Sequence, residues 1–143
     1  MRLRTLVAIS SLLLAVTACG DDDTSVFELS VGDCFNDDPA AGDSVSEVPT
    51  VDCSTPHDNE IYFQFSMTDA AFPGQEATRN SSAERCISEF EGFVGLSYAE
   101  SNLDIFPITP TAASWEQGDR VVYCVLYALD LSKLTGSMRG AAR

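Results

Sequence analysis

The stretch Arg120-Val121-Val122-Tyr123-Cys124-Val125-Leu126-Tyr127-Ala128-Leu129 decides the fold. β-Branched and aromatic residues dominate it, and apolar side chains fall on both of its faces. A strand covered on one side only would alternate with polar residues, so this one reads as a central strand. Val122, Cys124, Leu126 and Ala128 share one face, and their modest size leaves room for a packed helix. A helix is available upstream. Ser81-Ser82-Ala83-Glu84 has the form of a capping box. Ala83, Cys86, Ile87, Phe90 and Val94 then recur at spacings of three and four, which makes one apolar stripe. Gly92 or Gly95 ends it.

Working outward, residues 61–67 alternate cleanly. Ile61, Phe63, Phe65 and Met67 fall on one face, with Tyr62, Gln64 and Ser66 on the other, the pattern of a half-buried strand. Residues 26–35 hold a short strand and a Gly32-Asp33 turn. Residues 36–46 are loop, and 47–53 form a second short strand with Pro49 at an edge or bend. Residues 69–79 read as loop broken by Pro73-Gly74. Residues 103–108 read as a strand weakened by Pro107. Thr109-Pro110 opens a single helical turn through Trp115, and Gly118-Asp119 is a turn. The Gly-rich end frays after Gly136. No repeat and no second domain are visible. The expectation is an α+β domain: a small antiparallel β-sheet with one principal α-helix packed on it.

The N-terminus has a different character. Arg2 and Arg4 precede an almost wholly apolar run over residues 6–16. That run falls short of the roughly 20 residues a membrane span needs and fits the apolar region of a signal peptide. Val16-Thr17-Ala18-Cys19 then resembles the lipobox of bacterial lipoproteins. The resemblance implies a signal peptide over residues 1–18 and lipidation at Cys19 by fatty acyl chains of the palmitate class. It places the domain on the outer face of the cytoplasmic membrane. Each buried CH₂ of such chains is worth about 0.8 kcal/mol, so two or three chains hold the protein there. Residues 19–30, with three consecutive aspartates at Asp21, Asp22 and Asp23, read as an acidic tether. The ligand spacing and central glycine of a calcium loop are absent from it. Residues 31–143 form the domain.

The whole chain carries a formal charge of −14. Without Arg2 and Arg4 the mature part keeps six basic residues against 22 acidic ones, a charge of −16. Such a surface repels phosphate backbones and anionic headgroups, so nucleic acid is excluded as a partner. Cys34, Cys53, Cys86 and Cys124 remain after lipidation. An even count in an exported chain reads as two disulfides. A four-cysteine zinc site would want close pairs, and every gap here is long. Three connectivities are open. Cys86 lies on the helical stripe and Cys124 on the strand face that receives it, which favours Cys86 with Cys124 and Cys34 with Cys53.

Val31-Gly32-Asp33-Cys34-Phe35 is followed by Cys53-Ser54-Thr55-Pro56-His57-Asp58-Asn59-Glu60, then by Cys86, Phe90 and Val94-Gly95. Pro110, Ser114-Trp115, Gly118-Asp119-Arg120, Cys124 and Leu134-Thr135-Gly136-Ser137 complete the order. In this order the motifs resemble the septum-formation domain of actinobacterial envelope lipoproteins. The resemblance implies a role in septum formation or cell-envelope growth and supplies no catalytic residue. The acidic stretch over residues 36–52 is this chain's own.

His57 is the sole histidine. A metal site would take His57, Asp58 and Glu60, but adjacent side chains rarely converge on one ion, and the spacing matches no established set. No nucleophile elbow accompanies the serines. The favoured role for His57 is a backbone hydrogen bond in the turn before residue 61; recognition by His57, Asp58 and Glu60 is the alternative. Trp115 plugs the core or anchors a partner, and Arg120 pairs with a carboxylate such as Asp119 or Glu116. The chain therefore reads as a non-catalytic binding module without cofactor or metal, whose partner is an envelope protein. The competing class is a small cell-wall hydrolase or metal-dependent envelope enzyme.

Overall fold

The computed structural model describes residues 23–25, 28–39 and 47–143. The expected signal peptide and Cys19 lie outside the described residues, as do residues 40–46 of the expected loop. Six strands are described: β1 (Asp23–Ser25), β2 (Cys34–Phe35), β3 (Glu47–Val51), β4 (Asn59–Ser66), β5 (Leu103–Ile108) and β6 (Val121–Ala128). Their order is β1-β3-β2-β4-β6-β5, and every pairing is antiparallel. One long helix, α1 (Gln75–Val94), packs on the sheet, and a short one, α2 (Ala112–Glu116), leads into β6. The expected α+β architecture is present, with both disulfides paired as the pattern favoured, Cys34 to Cys53 and Cys86 to Cys124.

β6 lies between β4 and β5, the central place its two-faced apolar pattern required. On the helix side, Cys124, Leu126 and Ala128 join Cys86, Phe90, Phe93 and Val94 of α1 in the larger core. On the other side, Tyr123 and Val125 meet Leu29, Phe35, Val48 and Ile61. Burying a side chain such as Phe90 contributes about 1.5–3 kcal/mol.

A bulge corrects the expected alternation of β4. Ile61 is opposite Val125 and Phe63 is opposite Cys124, so Tyr62 is the extra residue. Ile61 therefore turns to the smaller core, while Tyr62, Phe63 and Phe65 all serve the helix side. Tyr62 uses that position fully. Its hydroxyl donates to the Cys86 carbonyl at 2.7 Å, and its ring meets Phe90 edge-on at 5.8 Å. Burial pushes its phenol up.

The helix start is a second correction. Residues 75–79 were expected in a loop, yet α1 begins at Gln75 after Gly74, whose φ is +98°. Ser81-Ser82 is not a cap. Ser82 faces inward with Thr78, and both are buried. Small polar residues occupy the inward positions of the first turns, so the apolar stripe becomes visible only from Cys86. Ile87, expected on that stripe, is 41% exposed. Gly95, in the left-handed region, closes the helix by donating its N–H to Glu91.

The C-terminus does not fray after Gly136. Met138 is buried, and the N–H groups of Gly140 and Ala142 donate to the carbonyls of Phe93 and Val94. The segment thus takes up the carbonyls orphaned at the end of α1. Within the stretch expected as tether, Asp23–Ser25 pairs with β3 and Leu29 is buried.

β5 is an edge strand, and its outward donors are disposed of one by one. The Leu103 N–H donates to Ser101 Oγ, and the Ile105 N–H to Asp104 Oδ1 at 2.8 Å. Pro107, next in the alternation, has no N–H. Such an edge resists pairing with another chain. Asp104 also accepts from the hydroxyls of Tyr98 (2.5 Å) and Tyr127 (2.9 Å). Burial pushes its carboxyl up, but the bonds from Tyr98, Ile105 and Tyr127 outweigh it and hold it below the usual range. The same bond raises the Tyr98 phenol to about 12. A depressed carboxyl contributes stability above its unfolded pKa of about 3.9 and loses it as pH falls through the folded value. Asp104→Asn should therefore flatten the acid limb of melting temperature against pH, measured from about pH 7 to about pH 2. Superimposable acid limbs in variant and wild type would refute this role.

Candidate functional site

Three of the sequence motifs meet at one place beside the Cys34–Cys53 disulfide. Gly32, with φ +101°, donates its N–H to the Ile61 carbonyl at 2.7 Å, and the Ile61 N–H returns to Asp33. His57 and Leu134 exchange both backbone bonds, at 3.0 and 2.8 Å, and the Gly136 N–H donates to Cys53 at 2.6 Å. Glu60 is fully buried. Its Oε1 accepts from Ser137 Oγ at 2.5 Å and its Oε2 from the Met138 N–H at 2.7 Å.

His57, Asp58 and Glu60 do not converge. The His57 ring is fully buried, with Nδ1 2.8 Å from the Thr55 carbonyl. A carbonyl only accepts, so Nδ1 carries the proton in this bond. Nε2 has no partner among the described residues. Asp58 points elsewhere, accepting from Lys133 Nζ at 2.6 Å and from the Asp37 N–H. Burial pushes the Asp58 carboxyl up; Lys133 and the Asp37 N–H more than compensate and leave it lowered. Among the described residues one trio of ligand-type atoms lies within 4.8 Å, namely the sulfurs of Cys34 and Cys53 and the Glu60 carboxyl group. The sulfurs are bonded to each other and offer no thiolate.

This convergence runs from Gly32 to Ser137, and a family model described as septum formation matches residues 31–143. The chain belongs to the septum-formation family. No curated protein and no solved structure matches it. No helix among the described residues is long and apolar enough to cross a membrane.

Within this septum-formation domain the second motif group is a local clasp. Thr111 caps α2 by accepting from the Ser114 N–H, and Ser114 Oγ donates to Asp119 Oδ2 at 2.9 Å. Asp119 Oδ1 accepts the Val121 N–H, which starts β6. Trp115 is buried against Phe72, with ring centroids 5.6 Å apart. The Arg120 guanidinium lies 3.7 Å from the Trp115 ring centroid. Its Nη1 donates to the carbonyls of Trp115 and Asp119, not to a carboxylate as expected. Trp115 is thus the plug of this clasp and Arg120 its lid.

The structure adds a cleft that the sequence did not show. It holds about 330 Å³ and is lined by Asp37, Asp58, Asn59, Phe106, Tyr127 and Leu131, among others. These residues come from separated segments, and only Asp58 belonged to an expected recognition set. The Asn59 amide is buried and donates to Asp37 Oδ1 at 2.7 Å, which fixes that carboxylate at the rim.

His57→Gln removes the bond to Thr55 and should lower stability by about 1–3 kcal/mol. Urea unfolding measures it. An unchanged midpoint, together with lost metal uptake, would overturn the structural role.

Proposed function

We propose that the mature chain is a lipoprotein, lipidated at Cys19 and held on the outer face of the cytoplasmic membrane. Its domain is a non-catalytic binding module that serves septum formation or envelope growth through an envelope protein partner. The observation that carries this reading is where the reactive side chains spend their bonds. Within the motifs, His57 faces the Thr55 carbonyl, Glu60 holds Ser137 and Met138, and all four cysteines are in disulfides. Each group performs a structural task, which leaves the surface as the working part. Membership in the septum-formation family supports the place of action. The charge of −16 on the mature chain favours a protein partner over nucleic acid or an anionic wall polymer.

Feeding cells labelled fatty acid tests the anchor. Cys19→Ala should lose the label and leave an uncut precursor. Equal label in both forms refutes the lipoprotein reading. Turnover of wall fragments by the purified full chain would overturn the non-catalytic reading.

A further inference from the structure

The cleft that the motifs do not reach has the chemistry of a docking site. One wall is aromatic: Phe106 and Tyr127 have ring centroids 5.9 Å apart. The rim carries two carboxylates: Asp37, held by the Asn59 amide, and Asp58, held by the Asp37 N–H and ion-paired to Lys133. The cleft continues past Phe106 toward Glu47 and Pro49, where a second hollow of about 240 Å³ shares Asp37 and Phe106 with the first.

Leu131 is the independent observation. It lines the cleft and is 78% exposed. Its φ is +60°, in the left-handed region that disfavours a residue with a Cβ. A glycine would suit this turn better, and a polar residue would suit its exposure better. A leucine in that conformation costs backbone energy and gains no burial within the chain, the pattern of a side chain presented for contact. Leu129, two residues earlier, is 60% exposed.

We propose that this cleft binds an extended segment of a protein partner in which arginine or lysine alternates with apolar side chains. This deepens the binding-module reading above and rests on it. Charge complementarity chooses the occupant. The cations of the segment meet Asp37, whose carboxylate is bonded to the neutral Asn59 amide, and lie against the aromatic faces, while its apolar residues cover Leu131. The mature chain's charge of −16 repels an acidic segment. Asp37, Asp58 and Tyr127 are already fixed by hydrogen bonds, which lowers the ordering cost of binding at the rim.

The test uses the full lipidated chain in detergent, titrated with a fluorescent peptide that alternates Leu and Arg. Controls are an Arg–Ser peptide of equal charge and a Leu–Glu peptide. Saturable binding is expected for the first, at least about tenfold weaker binding for the second, and none for the third. Leu131→Gly is the informative variant. It relieves the left-handed strain, so melting should stay level or rise, while affinity for the Leu–Arg peptide falls at least about tenfold. Equal affinity in Leu131→Gly and wild type, or equal binding of the Arg–Ser peptide, overturns the proposal. A photocrosslinking residue placed in intact cells at Leu131 or at Ile87 separates the two readings. A partner captured from Ile87 and not from Leu131 refutes the cleft and leaves the binding-module reading standing.

Discussion

Replacing Cys86 and Cys124 together with alanine is expected to cost about 4 kcal/mol and to lower the melting temperature by about 10–20 °C. The bridge closes a sequence separation of 38 residues and ties α1 to the central strand of the sheet. Constraint on the unfolded chain grows with loop length, so this bridge should outweigh Cys34–Cys53, which spans 19. The two cysteines are also fully buried among Tyr62, Phe90 and Leu126, and truncation there forfeits sulfur contacts as well. The comparison should include the Cys34→Ala/Cys53→Ala variant, for which about 3 kcal/mol is expected. Thermal melts of both double variants beside the oxidised chain decide the matter. A smaller loss for the helix–sheet bridge than for the loop bridge would contradict the ranking.

The parts of this fold legible in the sequence were those where a single period governed both faces of an element. β6 is apolar on both sides, and its neighbours occupy both. The cysteine pairing followed because Cys86 and Cys124 sat on faces that had to meet. What escaped was controlled by local departures from period. One inserted residue at Tyr62 sends Ile61 to the opposite face, and no spacing rule registers it. The first turns of α1 bury Thr78 and Ser82, so a hydrophobic reading began the helix late. The C-terminal segment has a composition typical of a frayed tail, yet Met138 and two backbone bonds to α1 hold it. The anchor of that segment is Glu60, which the sequence offered only within an alternative recognition set beside His57 and Asp58, and whose distant partners Ser137 and Met138 no local spacing reveals.

The motifs divide along the same line. Gly32, His57, Glu60, Gly136 and Ser137 are distant in sequence and joined by hydrogen bonds in space. Ser114, Trp115, Asp119 and Arg120 form a second, local knot. Both knots lock the ends of strands and helices. The cleft was invisible because Asp37, Asn59, Phe106, Tyr127 and Leu131 share no spacing and assemble only when β4, β5 and β6 pair.

Glu60→Ala should cost about 2–4 kcal/mol and release the C-terminal segment before the domain unfolds. The carboxyl group takes two donors, the Ser137 hydroxyl and the Met138 N–H, and both come from the stretch that returns to cover α1. Removing it orphans a buried backbone N–H, and such a group carries its full desolvation penalty when no water reaches it. Beyond Met138 the backbone bonds to α1 run from Gly140 to Phe93 and from Ala142 to Val94, with Arg139 over the Phe93 ring and Arg143 bonded to Ser101 and Asn102 as further ties. Without the Glu60 tie, those bonds should open locally. Amide exchange at Gly140 and Ala142 should then run well ahead of exchange in β6, whereas in the wild type the two are closer. Glu60→Gln keeps one acceptor and presents an NH₂ group to the other donor, so its effect should be intermediate. If Gly140 and Ala142 stay as protected in Glu60→Ala as in the wild type, the tail is held by the buried Met138 side chain and by Arg139 over the Phe93 ring, not by the carboxyl group.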